Sequence, residues 1–104
     1  MLFRSIEGDG ILRLVNTGGY TIRQVYILTW DSSNLVISDD RTINGYLDSR
    51  EYTLPAGQYK IVLNDGYGGP GYYRSNVTSE RITIATNTTR LVQYDSGTGR
   101  YSYP

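Results

Sequence analysis

The sequence contains no cysteine and no histidine among its 104 residues. Without cysteine, the chain cannot form disulfides, thiolate zinc sites, iron–sulfur clusters or a cysteine nucleophile. Without histidine, it lacks the usual general base near neutral pH and the commonest metal ligand. Because these two absences remove most catalytic constellations, we expect a protein that is not an enzyme.

An excess of charge of one sign is also missing, since ten acidic residues balance ten basic ones. A chain with zero net charge has no field that would draw it to phosphate backbones or anionic lipid. We therefore expect no nucleic-acid partner. The longest apolar-leaning run, residues 25–30, is far too short to cross a bilayer, so we expect no insertion into membranes.

The first residues of the chain show no basic segment followed by an apolar stretch, so no signal peptide is predicted. Two interpretations stay open. The protein is either made without a secretion signal, or it is a trimmed piece of an extracellular or virion-associated protein. The localisation is therefore left unknown.

Tyrosine, threonine and glycine are abundant, whereas alanine occurs only twice. Tyrosine and threonine favour pleated strands, and glycine marks turns. Apolar residues alternate with polar ones in several stretches, for example at Tyr59, Ile61 and Leu63. The pattern predicts one all-β domain over residues 1–104, a two-sheet antiparallel β-sandwich of about eight strands, with a small β-barrel as the alternative.

The predicted strand over residues 20–30 can be oriented in two ways. Its even-numbered positions form an apolar face that only Gln24 interrupts. A bulge near Gln24 would instead turn Val25 and Ile27 to the inside. Because the strand is apolar on both faces from Val25 to Trp30, it would also suit burial against another subunit.

Two glycine turns give the clearest hairpin signals. Gly18-Gly19 suits a tight two-residue turn into the strand at 20–30. Asn44-Gly45 is the strongest local hairpin signal in the chain.

Residues 54–62, with the sequence LPAGQYKIV, resemble immunoglobulin-like sandwiches. Fibronectin type III and carboxypeptidase regulatory-like (prealbumin-like) domains often carry Leu, Pro and Gly just before a Tyr that opens a strand. The resemblance implies a β-sandwich in which Leu54, Gly57 and Tyr59 are structural residues, and in which the Tyr59 hydroxyl bonds back to the turn. It implies no activity, because function on this fold resides in the loops.

The segment 65–74, DGYGGPGYYR, is the first candidate ligand site. A phosphate-binding loop would need a following Lys-Ser/Thr and a helix, which this segment lacks. Tyrosine offers a large amphipathic face, and glycine lets the backbone fit a partner. The alternative is a long hairpin connection whose tyrosines pack across strands. The predicted ligand-binding residues are Asp65, Tyr67, Tyr72, Tyr73 and Arg74.

A second aromatic group, which comprises Tyr94, Arg100, Tyr101 and Tyr103, lies near the C-terminus. Arginine between tyrosines would allow cation–π stacking on a ligand. The alternative is a final edge strand with ordinary cross-strand pairs.

Turn aspartates at 31, 39, 40 and 48 are the only candidates for a cation. Loop carboxylates could coordinate calcium, but no EF-hand spacing is present, and solvated turn residues explain them as well. We expect no other cofactor.

These features favour a non-catalytic binding module that recognises a carbohydrate or protein surface through loops rich in tyrosine and glycine. A self-associating structural subunit of a virion, fibre or surface layer, and hence a homo-oligomer, is the first alternative. An accessory domain of a larger protein is the second.

Overall fold

The computed structural model describes residues 8–66 and 74–104 of the chain, and these residues form nine β-strands. None of them lies in a helix that could cross a membrane. The strands are β1 (Asp9–Asn16), β2 (Ile22–Thr29), β3 (Leu35–Asp39), β4 (Ser49–Pro55), β5 (Gly57–Asp65), β6 (Arg74–Thr78), β7 (Ile82–Ile84), β8 (Thr89–Asp95) and β9 (Arg100–Ser102).

The described strands form two sheets. The four-stranded sheet has the order β4-β1-β8-β9, and the five-stranded sheet has the order β3-β2-β5-β6, with β7 also paired to β5. The sheets pack face to face and are not closed into a barrel, so the predicted all-β sandwich is confirmed.

Alternating apolar side chains decide which face of each strand is buried. Tyr59, Ile61 and Leu63 of β5 point into the core, as their period of two predicts. Leu12 and Leu14 of β1 face them from the other sheet and are completely buried. The interface between the two sheets is therefore the single hydrophobic core of the described residues.

A bulge in β2 settles the orientation of that strand. The register with β5 shifts between Ile22 and Gln24, and Val25 and Ile27 are completely buried. The bulged alternative is thus the correct one. Gln24 comes to lie opposite Asn64 on the outer face of the sheet.

The pairing of β1 with β8 is parallel, whereas an entirely antiparallel sandwich was expected. Ile11 aligns with Thr89, and the pairing continues to Asn16 and Tyr94. This parallel pairing is possible because β1 and β2 lie in different sheets. The chain therefore crosses between the sheets after Asn16, which leaves a central position beside β1 for β8.

Both glycine turns that predict hairpins are crossovers instead. Gly18-Gly19 links β1 to β2, and Asn44-Gly45 lies between β3 and β4, and each pair of strands is divided between the two sheets. The hairpin predictions at these two turns are wrong because sheet-to-sheet connections use the same glycine chemistry as hairpin turns.

Tyrosine hydroxyls join the two sheets at three levels. Tyr52 of β4 donates to Asp39 of β3, Tyr94 of β8 donates to Asp65 of β5, and Tyr101 of β9 donates to the Val77 carbonyl of β6. In each case the donor belongs to the four-stranded sheet and the acceptor to the five-stranded sheet.

Candidate functional site

Three connections meet at one end of the sandwich, which we call the loop end. They are residues 17–21, 40–48 and 96–99. The connections after β1 and β8 meet because these two parallel strands end side by side. The third connection joins them because the Tyr46 and Leu47 amides donate hydrogen bonds to the β1–β2 connection and to the end of β1. Asp65 and Arg74 pair with each other at the same end.

A buried polar network fastens these connections together. The side-chain nitrogen of Asn16 donates to the carbonyls of Tyr20, at 2.7 Å, and Ile43, at 3.2 Å. The Ser96 hydroxyl donates to Asn16 Oδ1 at 2.8 Å and accepts from the Tyr20 amide at 3.0 Å. Each buried side-chain polar atom in the described residues has a partner. Because the network is satisfied, it holds the loop end in one arrangement.

The tip of the β3–β4 connection, residues 44–48, is pinned onto the β1–β2 connection. The Tyr46 amide donates to the Gly18 carbonyl at 2.8 Å, and the Leu47 amide donates to the Asn16 carbonyl at 2.7 Å. A Cβ atom at Gly45 would lie 2.7 Å from the Gly18 carbonyl oxygen, so only glycine fits this close approach.

Two large residues in this tip adopt left-handed backbone conformations, with φ values of 63° for Tyr46 and 78° for Leu47. That region costs a residue with a side chain about 1–2 kcal/mol, because Cβ approaches the following carbonyl oxygen. The Asp48 carboxylate helps to hold the tip, since it accepts from the amides of Asn44 at 3.2 Å and Ser49 at 3.0 Å.

The side chains of this tip face solvent. Tyr46 is 80% exposed and Leu47 is 70% exposed, and Tyr20 beside them is 38% exposed. The Tyr46 ring lies over Gly19, where an added Cβ would be 2.8 Å from its hydroxyl. We call Tyr20, Tyr46 and Leu47 the end patch. Sequence reasoning missed it because Asn44-Gly45 was interpreted as a hairpin turn, although an apolar pair directly after that turn was a visible signal.

Asp65, predicted to contact a ligand, is completely buried between the sheets. The Tyr94 hydroxyl donates a short hydrogen bond to its Oδ2, and Arg74 Nε donates to its Oδ1 at 3.3 Å. Arg74 also donates to the Ser96 carbonyl at 2.6 Å. Burial, together with the bond to the negatively charged Asp65, raises the pKa of Tyr94 well above its usual value.

Asp65 therefore lies in the interior of the sandwich and Arg74 lies partly exposed beside it, and their predicted ligand contacts stay predictions. Tyr67, Tyr72 and Tyr73 lie outside the described residues, so their predicted ligand contacts stay predictions.

The C-terminal aromatic group packs against the core. Tyr94 is completely buried, and its ring centroid lies 4.8 Å from that of Tyr101. Tyr103 stacks on Tyr101 at 6.2 Å, and its hydroxyl accepts from the Glu80 amide at 2.8 Å. Arg100 is exposed and makes no cation–π contact with a described ring. Within the described part of the chain, such a contact is seen only for Lys60 over Trp30, at 6.0 Å.

Asp39, a candidate cation ligand, is the centre of a second buried cluster. It accepts from the Tyr52 hydroxyl at 2.8 Å, from Arg41 Nε at 2.9 Å and from Arg50 Nη1 at 3.2 Å. Burial alone would raise the pKa of Asp39, but these hydrogen bonds outweigh it and hold the pKa far below its usual range. The spacing of Asp39, Arg41, Arg50 and Tyr52 gave no sequence signal for this cluster.

The remaining turn aspartates do not gather around a common point. Asp48 is occupied by backbone amides, and Asp31 and Asp40 are exposed on separate connections. Across residues 8–66 and 74–104, no group of three or more acidic side chains is placed to hold a metal ion.

The three residues predicted as structural lie at the β4–β5 corner. Leu54 is completely buried, and Gly57 opens β5. The Tyr59 hydroxyl donates to the Pro55 carbonyl at 2.6 Å, which is the bond that a tyrosine corner makes. The family resemblance itself stays a prediction.

Comparison of the chain with protein-family models and with curated proteins finds no match.

Proposed function

We propose that this protein is a non-catalytic binding module that recognises a partner protein through its loop end, with the end patch at the centre of the contact. Tyrosine is enriched among the residues that contribute most to interface affinity. Leu47 offers apolar area without any hydrogen-bonding group, and this fits an apolar pocket on a protein better than the hydroxyl-rich surface of a sugar.

The observation that carries the proposal is the left-handed backbone of an exposed leucine. Leu47 is 70% exposed, so its side chain adds little to the core that would offset the backbone cost of a positive φ. Strained residues that do not serve folding concentrate at binding sites. A contact made by the leucine side chain would explain its presence at this position.

The loop end is suited to binding because its backbone is already fixed. Hydrogen bonds from the amides of Tyr46 and Leu47 and the buried Asn16–Ser96 network hold the tip in place. A partner that binds a fixed surface loses less conformational entropy than one that must order a loop.

The test measures both the free energy of unfolding and partner binding of one variant, Leu47→Gly. Glycine adopts a positive φ without strain, so the free energy of unfolding should rise by about 1 kcal/mol, measured by urea denaturation. Affinity capture from the native host, read by mass spectrometry, should yield a protein that wild type retains and that Leu47→Gly and Tyr46→Ala lose.

Leu35→Ala is the matched control, because Leu35 is an exposed leucine (58%) at the start of β3, away from the loop end. It should keep the same partner. Equal capture by all variants would overturn the proposal, and capture of a polysaccharide instead of a protein would favour the carbohydrate reading.

Self-association is a second candidate function, and it is favoured by the edge of the five-stranded sheet. Leu35 and Val36 of the edge strand β3 are 58% and 41% exposed, and neither carries a charge that would repel a second strand. Light scattering on a sizing column tests it. A dimer or larger assembly that Val36→Lys dissociates would support it, and a monomer at high concentration would exclude it.

A further inference from the structure

A polar depression of about 510 Å³ lies on the outer face of the five-stranded sheet. Gln24 of β2 and Asn64 of β5 form its floor, and Asn76 of β6 rises on one side. Arg23 and Asp40 also line the depression, and the Arg23 guanidinium lies near Gly66, just after β5. Threonine and serine hydroxyls complete the lining, and no member of the end patch takes part.

The floor is a row of amides that crosses three strands. Asn64 Nδ2 donates to Gln24 Oε1 at 2.6 Å, and the backbone N–H of Asn76 donates to Asn64 Oδ1 at 2.8 Å. These two bonds fix the Asn64 side chain. Among the described residues, the Gln24 Nε2 group and the Asn76 side-chain amide have no hydrogen-bond partner, so both are available to a ligand.

Two backbone irregularities build this row. The bulge between Ile22 and Gln24 brings Gln24 opposite Asn64, where a regular β2 would have turned Gln24 inward. Asn76 has a φ of 56°, a left-handed conformation that interrupts the edge strand β6. Bulges and left-handed residues of this kind recur beside binding sites, where they re-aim side chains.

The chemistry of the lining matches a hydroxyl-rich ligand without charge. An amide side chain presents a donor and an acceptor side by side, which suits neighbouring hydroxyls. Arg23 and Asp40 carry opposite charges, so the depression favours neither anions nor cations. Its volume is within the range of about 300–1,000 Å³ that is typical of small-molecule sites.

We propose that this depression binds a neutral saccharide unit, held by the amides of Gln24, Asn64 and Asn76. Tyr26, two residues along β2 on the same outer face, is half-buried and does not line the depression, so the amides carry the binding in this proposal. This inference does not rest on the proposed protein-binding function, because the two surfaces share no residue.

The test is a nuclear magnetic resonance titration of ¹⁵N-labelled protein with glucose, galactose, mannose, N-acetylglucosamine and cellobiose. Side-chain NH₂ groups give their own signals, so contact is read at the residues themselves. At least one of these sugars should shift the NH₂ signals of Gln24, Asn64 and Asn76 while leaving the backbone signals of residues 44–48 in place.

Two variants and a matched control complete the design. Gln24→Ala removes a donor, and Asn76→Gly removes the amide while a glycine keeps the positive φ without strain. Each should weaken binding about tenfold, as expected for the loss of one or two hydrogen bonds. Gln93→Ala should bind like wild type, because Gln93 is a strand glutamine in the other sheet.

Three results would overturn the proposal. They are no shift with any of the five sugars, shifts confined to the end patch or to the four-stranded sheet, and undiminished binding by both variants. Spectra that match wild type away from the depression would show that the variants fold. Failure here would leave the protein-binding proposal standing, since Leu47→Gly tests a separate surface.

Discussion

Two clusters of tyrosine, aspartate and arginine join the sheets, and they differ in depth. One surrounds Asp39 on the edge strand β3, and the other surrounds Asp65 on β5, which has neighbours on both sides. The Arg41 side chain beside Asp39 is 69% exposed, whereas the Arg74 side chain beside Asp65 is only 27% exposed. Asp65 itself is completely buried.

The difference shows that similar residues contribute differently to stability, depending on how deeply they are buried. Asp39 has two arginine partners and lies where water can replace a lost donor. Arg74 donates to Asp65 and also ties β6 to the β8–β9 connection through the Ser96 carbonyl. We therefore expect the Asp65 cluster to contribute more to the free energy of unfolding, and three experiments test this expectation.

The largest effect is expected from removal of the aspartates. Asp65→Ala leaves the Tyr94 hydroxyl buried without its acceptor and should lower the free energy of unfolding by about 3 kcal/mol. Asp39→Ala should cost about 2 kcal/mol, because water reaches its arginines. Urea denaturation followed by circular dichroism measures both, with the exposed Asp40→Ala as a control that should change little. A larger loss for Asp39→Ala would reverse the comparison.

Removal of single hydroxyls should give smaller, ordered effects. Tyr94→Phe should cost about 2 kcal/mol and Tyr52→Phe about 1.5 kcal/mol, because each loses a hydrogen bond to a charged acceptor. Tyr59→Phe loses a bond to the neutral Pro55 carbonyl and should cost about 1 kcal/mol. Thermal and urea unfolding give the order. An unchanged stability for Tyr94→Phe would mean that its hydroxyl does not tie the sheets together.

The smallest effect that we expect is a change with acid pH in the contribution of Asp39 to stability. Because the folded-state pKa of Asp39 is lowered, its contribution is fully present above the ordinary carboxyl pKa of about 4 and is lost as the pH falls below that value. The stability difference between wild type and Asp39→Asn should therefore shrink as the pH is lowered from about 5 to 2. A difference that stays constant with pH would show that the charge of Asp39 is not what stabilises the fold.

Strand positions could be predicted from local alternation, but strand partners could not. The period-two stretch at Tyr59, Ile61 and Leu63 is a buried face, as the alternation predicts. The crossovers at Gly18 and Gly45 use residues that also make hairpins, so the sequence favours hairpins there. The sheet to which each strand belongs depends on packing across the whole core, which no local pattern encodes.

The candidate sites were harder to predict for a different reason. Tyrosine and aspartate serve equally well on a ligand surface and in a buried cluster, and only burial distinguishes the two uses. Tyr94 and Asp65 were predicted at separate surface patches but are hydrogen-bonded to each other in the core. Leu47 is visible in the sequence as part of an apolar pair after Asn44-Gly45, but its left-handed backbone could not be predicted, because that conformation follows from the contacts of the tip with Gly18 and Asn16.

The parallel pairing of β1 with β8 sets an order on folding during synthesis. β1 leaves the ribosome first, yet the strand beside it at the centre of its sheet is among the last to appear. Every strand of the other sheet has been made before β8, so part of its apolar face stays uncovered until β8 and β9 join β1 and β4. Pairing between strands so far apart in sequence is slow because a long loop must close first. The nascent protein is thus most vulnerable to aggregation just before its last strands emerge.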